Sequence, residues 1–211
     1  MLYDISPSIH PDLAVWPGDT PFSWQLGASI GGGASVNVGA ITTTTHLGAH
    51  VDAPFHTESQ GETVDRLPLE RFWGPCWVIE TPPLPAIALL LPEHLGEHDL
   101  EATPRVLFKT GTARDRARFP ERCAALSVAL IEDLAARGVV LVGLDAPSVD
   151  PLDSKTLDAH HALNRHGISN LEGALLDDVP PGRYELVALP LRLQGLDASP
   201  VRAVLRTLRT L

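Results

Sequence analysis

The sequence predicts an α/β fold in a single domain. Three observations carry it: short β-branched or apolar runs bounded by turn residues, two stretches with helical spacing between them, and a length of 211 residues, enough for one substantial core. Apolar residues make up 44% and charged residues 20% of the chain, as in ordinary soluble domains, so neither disorder nor a fibrous repeat is expected. The single domain is expected to span residues 1–211.

In chain order, the β-branched run 42–45 favours extended chain leading into His46. Pro54 then removes a donor and keeps Ala53 out of helical geometry, so strand followed by turn is expected here. Residues 76–80 read as a strand, and the Pro-rich stretch 81–92 as a surface excursion. Residues 106–109 read as a second strand. Ser127 can cap a helix whose apolar positions Val128, Ile131, Leu134 and Ala135 recur at helical spacing, with Gly138 as its stop. That helix feeds a strand over 139–144. A second helix is expected from Asp153 or Ser154 to just before Gly167, and further strands over 184–189 and 201–205.

The formal charge of -10, with no local Lys/Arg cluster, would repel a phosphate backbone and argues against nucleic acid as a partner. Cys76 and Cys123 are too few for a disulfide framework or a Cys-based zinc site and read as buried free thiols. No basic stretch followed by an apolar one opens the chain, and the apolar run 86–91 is far short of the roughly 20 residues of a membrane span. No membrane association and a cytoplasmic location are the resulting expectations.

The chemistry concentrates in His46-Leu-Gly-Ala-His50-Val-Asp52-Ala-Pro-Phe-His56, three imidazoles and a carboxylate within eleven residues. Imidazole nitrogen and carboxylate oxygen are the ligand set of zinc, manganese or iron. In a regular strand the Cα atoms of His46 and His50 would lie about 13 Å apart. A bend at Gly48, or one helical turn, would bring both rings to one ion. His50 and Asp52 share a face of extended chain directly. Burying these groups together without a metal would be costly, which weighs against incidental histidines.

A second cluster, Asp158-Ala-His160-His161 through Glu172, is weaker by itself. On a helix His160 and His161 point about 100° apart, so one of them faces a site and the other does not. Gly31-Gly-Gly-Ala-Ser35 and Lys109-Thr-Gly-Thr112 lack the Gly and Lys spacing of a phosphate loop and read as turns. Trp16-Pro-Gly-Asp19 is a turn whose aromatic could pack or stack on a planar substrate.

The first cluster resembles the fingerprint His-x-Gly-Thr-His-x-Asp-x-Pro-x-His of the metal-dependent cyclase or formamidase family. Positions 46, 48, 50, 52, 54 and 56 agree, and Ala49 stands where the family has Thr. Similarity to the family's bacterial formamidases extends through Trp16-Pro-Gly-Asp-Thr-Pro21, Leu144-Asp-Ala-Pro-Ser-Val-Asp150, Asp153-Ser-Lys-Thr156, Asp158-Ala-His-His161 and Gly195-Leu-Asp-Ala-Ser-Pro200.

The resemblance implies a swivelling β/β/α domain, a homodimer and two divalent metal ions per subunit, usually zinc. It implies hydrolysis of N-formylkynurenine to kynurenine and formate in tryptophan breakdown. Carried onto matching positions, one metal takes His46, His50 and Asp52, and the other Asp52, His160 and Glu172. His56 becomes the general acid/base, and Trp16 a stacking residue for the substrate. The competing readings are a sister hydrolase of cyclic amides such as isatin and a metal-binding protein without catalysis.

Overall fold

The computed structural model describes residues 1–82 and 89–208. Its strands and helices run in the order β1 (Leu2–Asp4), β2 (Ser23–Ala28), β3 (Val38–Thr42), β4 (His50–Asp52), β5 (Trp73–Glu80), β6 (Leu89–Leu90), β7 (Arg105–Lys109) and β8 (Ala125–Leu126). There follow α1 (Val128–Ala136), β9 (Leu141–Leu144), α2 (Asp158–His166), β10 (Ser169–Leu171), β11 (Gly182–Val187), β12 (Ala198–Pro200) and β13 (Val204–Thr207).

A seven-stranded sheet in the order β1-β13-β11-β5-β7-β9-β10 is the frame. The half from β5 to β10 is parallel, with α1 returning the chain between β7 and β9 and α2 between β9 and β10. The half from β5 to β1 is antiparallel. Side chains of the central strands alternate between two cores, as a period of two requires. Cys76, Val78, Leu107 and Leu141 enter the core that also contains Ala49, Val51 and Ala53 around β4. Ile79, Val106, Phe108, Val142 and Leu144 meet Leu130, Ile131, Leu134, Ala159 and Leu163 of the helices in the other. The small β4–β12 pair, the main sheet and the helices therefore form β/β/α layers, and the mixed α/β expectation holds.

Helix α1 matches its sequence punctuation: Ser127 Oγ accepts from Leu130 N at 3.1 Å, and Gly138 follows in the left-handed region. Helix α2 ends before Gly167 as expected but begins at Asp158, not at 153 or 154. Leu157 sits at φ 48, and the Asp150 carboxylate accepts from Ala159 N at 2.9 Å and His160 N at 3.0 Å. A cap supplied from eight residues upstream of the helix thus overrides the local Ser/Asp signal.

Elsewhere, β3 stops at Thr42, residues 43–49 bend, and the strand comes after the turn, at His50–Asp52. The expected order of strand and turn is reversed because β4 is paired to β12 and bridged to Glu172, partners more than a hundred residues away. Strands β9 and β13 start two and three residues later than the sequence suggests. Of the Pro-rich stretch 81–92 and the apolar run 86–91, residues 83–88 lie outside the described residues. Leu89 and Leu90 form the short strand β6 beside β8. Both cysteines are buried and free. Among the described residues no helix is long and apolar enough to cross a membrane.

Candidate metal centre

Strand β4 builds the floor of the site. Its alternation sends Val51 into the core and turns His50 and Asp52 to the opposite side. Gly48, at φ 61, makes the bend that returns His46 toward them. The antiparallel bridge from His50 to Glu172 fixes the second carboxylate, with His50 N donating to Glu172 O at 3.1 Å. Helix α2 supplies His160, which is buried, while His161 is turned farther outward.

Each of three histidines has one nitrogen engaged away from the carboxylates at the centre. His50 Nδ1 bonds Gly48 O at 3.0 Å, leaving Nε2 at 3.3 Å from Glu172 Oε2 and 3.7 Å from Asp52 Oδ1. His160 Nδ1 bonds Asp150 Oδ2 at 2.6 Å, leaving Nε2 at 3.3 Å from Asp52 Oδ2 and 3.5 Å from Glu172 Oε1. His46 Nε2 bonds Asp197 Oδ2 at 2.9 Å, and its Nδ1 lies 3.0 Å from Asp52 Oδ1. Engaging one ring nitrogen fixes the tautomer and presents the other as a ligand.

The six residues of chemical interest in the sequence, His46, His50, Asp52, His56, His160 and Glu172, converge here. Donor atoms of His46, Asp52 and His56 lie within 4.8 Å of one another, as do those of His50, Asp52 and Glu172. Asp52 belongs to both groups. The ring of His56 is 4.3 Å from that of His46 and 5.5 Å from that of His160, and His56 is the exposed member.

Asp52 Oδ1 is buried and accepts no hydrogen bond, although His46 Nδ1 approaches it. The ring nitrogen is close but out of line for donation, as two ligands are when both aim at a third atom. An orphaned buried carboxylate oxygen is costly, and a cation between these donors would satisfy it. The donor set of imidazoles and carboxylates fits a divalent metal.

Without an ion, the centre balances charge with protons. Burial would lower the pKa of His46, but its hydrogen bond to Asp197 and the charge of the adjacent Asp52 carboxylate carry it up to about 10. His160 is likewise opposed by burial and raised to about 12 by Asp150, Asp52 and Glu172. Burial favours the neutral form of Asp52, yet His160 and His46 hold its carboxyl well below the usual range.

Three positioning residues carried no assignment from the sequence: Asp150, Asn170 and Asp197. Asn170 Nδ2 donates to Asp52 Oδ2 at 2.6 Å and to Glu172 Oε1 at 3.1 Å, and its Oδ1 accepts from Asp52 N. Asp197 reaches His46 and lies 3.5 Å from His56 Nδ1. Asp150 and Asp197 lie in stretches that carry the family resemblance, which was the available signal.

The centre opens on a cavity of about 410 Å³. Trp16 lines it and packs edge-to-face on Phe119 with ring centroids 5.1 Å apart.

The cyclase family model matches residues 3–151, which contain His46, His50, Asp52 and His56. The chain belongs to the cyclase family. A cyclase-family relative, kynurenine formamidase of Salinibacter ruber, is 50% identical over 97% of both chains. Among solved cyclase-like structures, a "predicted metal-dependent hydrolase" of Bacillus stearothermophilus superposes with a TM-score of 0.81 at 27% identity, covering 97% of each chain. Isatin hydrolase A of Labrenzia aggregata has the same fold, with a TM-score of 0.81 at 23% identity over 98% of this chain and 93% of its own. This cyclase-family chain is a hydrolase.

Proposed function

We propose that the chain is an arylformamidase that hydrolyses N-formyl-L-kynurenine to L-kynurenine and formate, a step of tryptophan degradation. The observation that carries this reading is the 50% identity to a kynurenine formamidase along 97% of both chains. The centre's chemistry agrees with amide hydrolysis. The residues 1–211 act as one hydrolase domain on this reading.

His46, His50 and Asp52 would hold one divalent ion and Asp52, His160 and Glu172 a second, with Asp52 shared and zinc the best match to the ligands. Bound there, the ions lower the pKa of water toward neutrality and polarise the formyl carbonyl. The chain's own groups do the rest. His56, exposed to the cavity beside His46, takes the proton released as water adds to the formyl carbon. It returns that proton to the arylamine nitrogen as the C–N bond breaks, so a neutral amine and formic acid leave, and the acid gives its proton to solvent as formate. Asp197 holds His46 and stands near His56 Nδ1, and Asp150 keeps His160 in one tautomer. Trp16 and Phe119 offer an aromatic wall to the substrate ring.

The active form is a homodimer on this reading, and the β2–β3 hairpin supports it. Trp24 and Ile41 are 59% and 69% exposed there, and Leu26 and Val38 about half exposed. A two-stranded ribbon with an apolar surface is marginal alone and gains by being covered. The reading also places the protein in the cytoplasm, where Cys76 and Cys123 stay reduced.

The test is the absorbance change when purified protein meets N-formylkynurenine, with and without chelator, and with zinc restored. Hydrolysis that chelation removes and zinc recovers is expected. Inertness of metal-loaded protein toward this substrate, with turnover of isatin, would overturn the substrate and favour cyclic-amide hydrolysis.

A further inference from the structure

The loop after β7 enters the cavity as a fixed piece. Asp145 Oδ2 accepts from Thr110 N at 3.0 Å and Gly111 N at 2.8 Å, and Thr112 Oγ1 accepts from Ala124 N at 3.0 Å. Farther along, Arg116 O accepts from Ala14 N at 3.0 Å, which ties this loop to the one that carries Trp16. Arg116 and Phe119 therefore face the cavity from one side and Trp16 from the adjoining loop.

The Arg116 guanidinium is incompletely used. Of its five donors, Nη2 gives one bond, to Ala174 O at 2.9 Å. Its Nε is buried without a partner. Among the described residues no carboxylate pairs with it, whereas the neighbouring Arg114 lies 3.4 Å from Asp177. A half-buried cation left with orphaned donors beside a metal-type centre is costly unless a ligand supplies acceptors. The guanidinium fork matches a carboxylate. In a protein of net charge -10, a carboxylate entering a cavity lined by Asp19, Asp115, Glu172 and Asp197 needs a cation, and of the two guanidiniums that line it, Arg116 and Arg118, Arg116 is the one held in place, by its bond to Ala174 O and the tie from Ala14 N.

Resting on the proposed arylformamidase reading, we infer that Arg116 binds the α-carboxylate of the substrate while the formamide lies at the metal centre and the ring against Trp16 and Phe119. Arg116 is then the group that selects an amino-acid formanilide over a neutral one.

The test compares N-formyl-L-kynurenine, its carboxyl methyl ester and formanilide, each with the zinc-loaded parent and with Arg116→Ala and Arg116→Lys. In the parent, esterification is expected to raise KM about 10- to 100-fold, the range of a lost charge-assisted hydrogen bond. Arg116→Ala should raise KM for the free acid by a similar factor, with a much smaller rise for the ester and for formanilide, and Arg116→Lys should recover part of it. Equal losses on all three substrates, or a parent enzyme indifferent to esterification, would overturn the anchor while leaving the arylformamidase reading intact. A zinc-loaded parent that hydrolyses formanilide but not N-formylkynurenine would overturn the reading and the anchor together.

Discussion

Asp150 prepares His160 by occupying the nitrogen that faces away from the other carboxylates, at 2.6 Å. Replacing it by Asn keeps the shape but removes the charge that orients the imidazole. Asp150→Asn should weaken zinc binding about 10- to 100-fold, the usual effect of losing such an outer partner. Competition with a chromophoric chelator checks it, and unchanged affinity would show that His160 needs no orienting carboxylate. A second expectation follows from the raised histidines. Since His46 titrates near 10 and His160 near 12 in the ion-free protein, both hold a proton at neutral pH. Zinc must displace those protons, so loading should release them, and apparent zinc affinity should fall as pH is lowered. Calorimetry in buffers of different ionisation enthalpy measures the release; none at neutral pH would contradict protonated His46 and His160 in the ion-free centre. At this scale the residues that meet at the centre were legible because His46, His50, Asp52 and His56 cluster within eleven residues. Asp197 and Asn170 were not, since they act through partners more than a hundred positions away.

Elements were legible where their signals are local. Ser127 and Gly138 bracket α1 because capping and left-handed termination are properties of single residues. The start of α2 was not, because its cap is the Asp150 carboxylate. Strand β4 was hidden for the same reason: three residues have no periodicity to read, and only pairing to β12 and the bridge to Glu172 makes them a strand. That dependence makes Gly173 a sensitive point. It sits at φ 67, and a Cβ there would run into the carbonyl oxygen of Gly48. Gly173→Ala must push the 46–48 bend away from Glu172, adding steric displacement to left-handed backbone strain. A loss of roughly 1–3 kcal/mol in stability is expected, together with weakened zinc loading. Denaturant unfolding and metal titration on the same sample check both; a variant with parental values in each would show that the bend and the bridge are not coupled.

Across the whole molecule, the parallel half was the readable half. Strands over 76–80, 106–109 and 139–144, with a capped helix before the last, describe a βαβ arrangement from sequence alone. The antiparallel half joins β1 to β13 across almost the full chain length and β11 to β5 across about a hundred residues, and nothing local announces those pairings. The β2–β3 hairpin belongs to neither half. Its strands pair with each other, outside the seven-stranded sheet, and every residue of β3 is exposed. Ile41 there, with Trp24 and Leu26 on β2, presents an apolar surface that a second copy would remove from water. Placing a charge at its most exposed apolar positions should oppose that association without entering either core. Trp24→Glu with Ile41→Glu is therefore expected to convert a dimeric protein to monomers, read by light scattering after gel filtration, while each monomer keeps its fold by circular dichroism. Dimers that persist in the double variant would assign the interface to another face of the molecule, and the hairpin's exposed residues would then need a different partner.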